Sequence, residues 1–204
     1  MQVINIKNKE ILLLLNDFSS WFKNLDKSVI KLAGEADQEE YYTEEDYFKS
    51  VNKETHVGYP EKAYGIDIAT IDSTPIELRE KIRQVDIQFS SILGARNCAV
   101  KMYYPENGYM GWHNNHNASG YNILFSYTQN GKGFFKYKDP KSLSSVTMND
   151  TPGWTAKVGY YGSLEEKDKL YWHCARAYED RLTLGFVIPD KSFWEMMIED
   201  IESE

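Results

Sequence analysis

Two histidines stand three residues apart in the stretch "YMGWHNNHNASG": His113 and His116, separated by Asn114 and Asn115. Imidazole nitrogens hold transition metals well, so the pair raises a metal site, yet amides occupy positions where a carboxylate ligand is expected. A further histidine, His173, follows in "LYWHCA", sixty residues after His113. Beyond it, "DRLTLGF" carries Arg181 and Thr183, whose spacing points both side chains to one face of an extended strand. A buried arginine requires an anionic partner, and "RLTLGFVI" contains no acid. A carboxylate ligand answers that requirement. Pairing with Glu179, Asp180 or an acid elsewhere is the competing structural reading. A packing role competes at the histidines too, since a lone imidazole beside tryptophan, as in "GWH" and "YWH", is most often a hydrogen-bonded residue of the interior. Asn114, Asn115 and Asn117 also read as turn formers that tolerate left-handed backbone. "HNNH" lacks the glutamate of a zinc-protease helix, and "GKG" (131–133) is too short for a phosphate loop.

The elements that must position these residues follow from periodicity. Residues 8–25 place Ile11, Leu14, Leu15, Phe18, Phe22 and Leu25 at helical spacing, after a short opening strand around Val3 to Ile6. The acidic, tyrosine-rich segment that follows, through "YPEKAY" (59–64), shows no clean period and reads as loop with short elements. "STPIELREKIRQVDIQFSSIL" predicts a second helix, with Thr74 as N-cap, Pro75 in its first turn and Glu77 closing a capping box. Ile76, Ile82, Val85, Phe89 and Leu93 line its apolar face. From Arg96 onward, short apolar or alternating runs broken by turn signals predict an antiparallel sheet of about eight strands, with "QNGKG" as a hairpin turn. Cys174, next to His173, falls on the opposite face of its strand and reads as core. "KSFWEMMIEDIESE" closes the chain as an amphipathic, acidic helix.

Helices first and strands after predict an α+β chain whose core is a jelly roll or related barrel. In such a fold the strands bearing His113 and His173 can be neighbours, and Arg181 faces inward beside them. The expected organisation is one domain over 1–204: a helical supporting region (1–95), a jelly-roll core (96–190) and a C-terminal helix (191–204). At 204 residues such a chain buries a core without staples. The cysteines, Cys98 and Cys174, stand far apart and in no paired spacing, which indicates a reducing, intracellular and cytoplasmic setting. The apolar run Ile11 to Leu15 is too short to span a bilayer. A net charge of −8, with acids clustered in "DQEEYYTEED", argues against a groove for nucleic-acid phosphates.

The order "YPENGYMGWHNN", "NILFSYTQNGKGFF", "WHCARAYEDRLT" resembles the Fe(II)- and 2-oxoglutarate-dependent dioxygenases, closest in texture to the prolyl-hydroxylase-like branch. The resemblance runs from Tyr103 to Ile188. It implies a double-stranded β-helix in which His113 and His173 ligate Fe(II). Arg181 then grips the distal carboxylate of 2-oxoglutarate with help from Thr183, and Tyr104 and Tyr127 form walls or hydrogen bonds. The family usually has Asp or Glu where this chain has Asn115. Either the Asn115 amide oxygen or His116 then supplies the third ligand, or water or an anion fills that position. The implied activity is hydroxylation of a small molecule or protein side chain. Two rivals remain: a catalytically silent jelly-roll module that has lost the acidic ligand, and a cupin-like metalloprotein without 2-oxoglutarate.

Overall fold

The structure is a computed structural model that describes residues 1–52, 60–68, 75–115 and 118–204. Among these residues it is α+β: two antiparallel sheets stacked as a sandwich, with four α-helices outside. The six-stranded sheet runs β1 (Gln2–Ile4), β9 (Gly153–Tyr161), β6 (Gly120–Thr128), β11 (Arg181–Ile188), β4 (Asn97–Tyr104), β3 (Ile66–Asp67). The five-stranded sheet runs β2 (Ala63–Tyr64), β5 (Tyr109–His113), β10 (His173–Ala177), β7 (Gly133–Lys138), β8 (Ser145–Asn149).

The eight strands after Arg96 pair in a nested order, β7 with β8, β6 with β9, β5 with β10 and β4 with β11. The chain is therefore a long antiparallel ribbon wound so that the nested pairs fall alternately in the two sheets. This corrects the expected hairpin at "QNGKG". Gly131 does turn with a left-handed φ of 77°, but β6 and β7 lie in different sheets. The turn is fastened by Glu179, whose carboxylate accepts from the backbone N–H groups of Asn130 and Lys132.

Alternation along each strand divides the sandwich into three apolar layers. On β6, Ile123 and Phe125 face outward to the helices, while Asn122, Leu124 and Ser126 face the space between the sheets. The outer face of the larger sheet is covered by α1 (Lys9–Lys23), α3 (Ile76–Ile92) and α4 (Lys191–Glu202). On α1, Ile11, Leu15, Phe18 and Phe22 are buried as their spacing predicts. Asn8 caps this helix, its side chain accepting from the N–H groups of Glu10 and Ile11 at 3.1 and 3.2 Å. Asn8→Ala should cost about 1 kcal/mol, read as a lower urea midpoint at unchanged m.

On α3, Leu78 takes the core position expected of Ile76, which is 63% exposed. The helix begins one residue later than the capping box implies, with Pro75 flanking it. Leu78 stands four residues before Ile82 and shares its face, whereas Ile76 stands six before it and falls well off that face. Thr74, the expected cap, lies outside the described residues. The acidic, tyrosine-rich segment also folds: α2 (Glu45–Val51) lays Tyr47, Phe48 and Val51 on Trp112, Phe134, Trp172 and Cys174 of the smaller sheet's outer face. Both cysteines are buried and free. Among the described residues, no helix is long and apolar enough to cross a membrane.

Candidate functional site

Between the sheets lies a cavity of about 280 Å³, open at its mouth and lined from both sides. His113 and His173 meet there. They are directly opposite each other on β5 and β10, 6% and 8% exposed, with ring centroids 4.1 Å apart.

A β-bulge produces this meeting. His173 pairs with His113 while Ala175 pairs with Met110, so Gly111 and Trp112 together oppose Cys174 alone. Strict alternation from inward Met110 would turn Trp112 inward and His113 outward. The extra residue reverses that parity, sending Trp112 out to Phe48 and bringing His113 into the cavity. Gly111 is confined by its surroundings, because a Cβ there would sit 2.9 Å from the Lys62 carbonyl oxygen.

Each imidazole is oriented by the backbone two residues upstream. The Nδ1 of His113 lies 2.8 Å from the Gly111 carbonyl oxygen, and that of His173 lies 3.1 Å from the Tyr171 carbonyl oxygen. A carbonyl can only accept, so each Nδ1 carries a proton, and in the neutral ring this leaves the lone pair on Nε2, the tautomer of an Nε2 metal ligand. Burial pushes the His173 pKa down to about 4, although its hydrogen bond to Tyr171 opposes the shift. The neutral ring predominates at pH 7. Its packing partners are Phe135 and Tyr161, at centroid distances of 5.6 and 5.2 Å.

Asn115 is half-buried and lines the same cavity, as does fully buried Asn114. His116 lies outside the described residues. Among the described residues, no group of three or more His, Cys, Asp or Glu could hold a metal ion. The two imidazoles therefore have amides as neighbours, where a carboxylate would strengthen the site.

Arg181 enters the cavity from β11, in the opposite sheet rather than on a strand adjoining either histidine. It is 2% exposed and does have an acid partner, from far along the chain. Its Nε donates to Asp150 Oδ2 at 2.7 Å and its Nη2 to Asp150 Oδ1 at 3.4 Å. Nη1 donates to Thr183 Oγ1 at 2.6 Å, and Nη2 also to Ser126 Oγ at 3.1 Å. Both hydroxyls accept from the guanidinium, so their own hydrogens are left to donate elsewhere. Lys157 completes the cluster, its Nζ donating to Asp150 Oδ1 at 2.9 Å with no side-chain exposure. Gly133 makes room for the acid, since a Cβ there would sit 2.7 Å from Asp150 Oδ2.

Burial alone would raise the Asp150 carboxyl, but Arg181 and Lys157 outweigh it and hold the group below the usual carboxylate range. Burial lowers the Lys157 ammonium against the pull of Asp150. For Arg181 the acid wins over burial and raises the pKa further.

Of the two candidate tyrosines, Tyr104 belongs to the cavity. Its ring centroid lies 5.6 Å from the Arg181 guanidinium carbon, and burial pushes its hydroxyl up to about 12. Tyr127 does not. It sits one residue beyond Ser126 and so on the helix-facing side of β6, against Trp154 at 5.3 Å and beneath Lys23. Parity counted from inward Ser126 places it there.

Sequence reasoning missed Ser126, Asp150, Lys157 and Tyr161. Lys157 left a signal, a lone charge amid the alternating apolar residues of "WTAKVGYY". Asp150 left none, because a turn acid in "MNDTPG" looks like any other.

No family model and no curated protein matches this chain. Among solved structures it is similar to a prolyl-4-hydroxylase from Pseudomonas putida, with 13% identity over 87% of this chain and 99% of that one, at a TM-score of 0.35.

Proposed function

We propose that this chain is an Fe(II)- and 2-oxoglutarate-dependent oxygenase on a double-stranded β-helix, or jelly roll, acting on a small molecule or a protein side chain. The nested pairing of β4 with β11, β5 with β10, β6 with β9 and β7 with β8 supports the fold. The observation that carries the activity is the convergence of His113, His173 and Arg181 on one buried cavity.

The residues fit both groups in part. Two imidazoles whose Nδ1 atoms are held by backbone carbonyls would offer their Nε2 atoms to a divalent ion. The third protein ligand falls to the Asn115 amide oxygen or to His116. The guanidinium of Arg181, with the Thr183 and Ser126 hydroxyls, suits a carboxylate. Formal charges also close: Fe(II), two neutral imidazoles, a neutral amide and dianionic 2-oxoglutarate sum to zero.

When bound, Fe(II) and 2-oxoglutarate supply oxygen activation and the oxidising equivalents. The chain's own part is positional. His113 and His173 hold the ion, Arg181 fixes the far carboxylate, and apolar walls including Met102, Leu124 and Phe135 exclude water.

One observation favours the silent-module reading: Arg181 already has Asp150, and among the described residues no carboxylate completes a metal-binding group with the histidines. Anaerobic Fe(II) titration with and without 2-oxoglutarate separates the readings. A weak visible metal-to-ligand band that needs both components supports the oxygenase. Tight iron without the band indicates a metalloprotein that does not use 2-oxoglutarate, and binding of neither indicates the silent module. Asn115→Asp restores one negative charge beside the imidazoles, and should tighten Fe(II) on the order of tenfold or more in the same titration. Unchanged affinity there would remove Asn115 from the ligand set.

A further inference from the structure

We infer that Lys157 sets the sign of the charge at the carboxylate-binding part of the cavity, acting through Asp150 as a positioning residue for the ligand. The inference rests on the proposed binding of a carboxylate at Arg181. Without Lys157, Arg181 and Asp150 form a neutral pair joined at 2.7 and 3.4 Å. The acid then offsets the guanidinium charge, and an anionic ligand meets only dipoles.

Lys157 changes that balance. Its ammonium binds the same Asp150 Oδ1 at 2.9 Å, so two cations face one anion and one positive charge is left over. All three side chains are at most 2% exposed, so water does not disperse that charge. A buried excess charge is costly until a counter-charge arrives. Of the three, Arg181 borders the cavity, and the hydroxyls of Ser126 and Thr183 beside it can donate to an incoming oxygen. One carboxylate neutralises the cluster, whereas a neutral ligand leaves it charged.

The fold itself has no need of an ammonium here. Fully buried lysines are rare, and apolar residues of similar volume commonly replace buried ions without loss of stability. Lys157→Met would leave Arg181 and Asp150 paired and the strand packed. The lysine therefore serves the ligand rather than the sandwich.

The test is calorimetric binding of 2-oxoglutarate and of succinate to the full-length protein, performed anaerobically with and without Fe(II). Wild type, Lys157→Met and the double variant Lys157→Met/Asp150→Asn are compared. Lys157→Met should keep or raise the thermal midpoint and weaken both ligands by on the order of ten- to a hundredfold. The double variant again carries a net positive charge, on Arg181 alone, and should recover most of that loss although it lacks both residues. A merely structural lysine predicts the reverse, since two core substitutions then do more damage than one. Wild-type affinity in Lys157→Met overturns the inference and leaves the proposed function standing, as does a folded double variant no better than the single. Should the double variant not fold, the single variant still decides. Failure of wild type to bind either dicarboxylate overturns the proposed function and the inference with it.

Discussion

Asp150→Ala should destabilise the protein by about 3–5 kcal/mol, the range for removing one partner of a buried ion pair. Arg181 and Lys157 would lose their shared acid while keeping their charges, in a region where neither is more than 2% exposed. Asp150→Asn separates charge from volume: it fills the same space, so a comparable loss assigns the effect to electrostatics. Urea denaturation at pH 7 measures both. Arg181 and Lys157 hold the Asp150 pKa below its unfolded value. Its contribution is therefore present above the ordinary carboxylate pKa of about 3.9, and is lost as pH falls through the folded value. Wild type should lose this part of its stability at acid pH, while Asp150→Asn should lack it at every pH. A variant as stable as wild type at pH 7 would show that Asp150 is not needed to keep the buried cations folded into the sandwich.

The second large effect is on metal. His173→Ala should lower Fe(II) affinity by more than the roughly 10–100-fold that loss of an outer-shell partner costs, and His113→Ala should do the same. The double variant should be little worse than either single variant, because a site that has lost one of two imidazoles is already largely dismantled. Anaerobic titration reads these losses. Thermal melts of the metal-free variants supply the control, since His173 also packs on Phe135 and Tyr161. If iron binding survives in both variants and only the melting temperature falls, the imidazoles are packing residues and the iron is held elsewhere.

Much of the frame was legible where a single periodicity governs burial. Ile11, Leu15, Phe18 and Phe22 recur on one face of a long helix, and all four are buried. The turn-punctuated runs after Arg96 became eight strands. By contrast, α2 has only seven residues, too few to establish a period, and its aromatic side chains are explained only by the sheet face they cover. The turn at "QNGKG" was visible, but which strands it joins depends on the winding of the whole ribbon. At the site, the strands of His113 and His173 were expected as possible neighbours and do pair, but the inward turn of His113 depends on a bulge that periodicity does not show. The partner of Arg181 was hidden as well, because Asp150 lies thirty-one positions earlier and reaches it across the interior. Tyr127 was separated from the site by a count of one residue.

The bulge at Gly111 and Trp112 makes the histidine pair a matter of arithmetic as much as of chemistry. Gly111 and Trp112 share the single position opposite Cys174, and that sharing keeps Met110 and His113 on one face. A β5 straightened with both residues kept would alternate strictly, presenting the indole and expelling the imidazole. Deletion of one of the two would instead leave a regular ladder with His113 still opposite His173. The cavity-facing side of β5 is thus set by a fold in the backbone as much as by the histidine it carries.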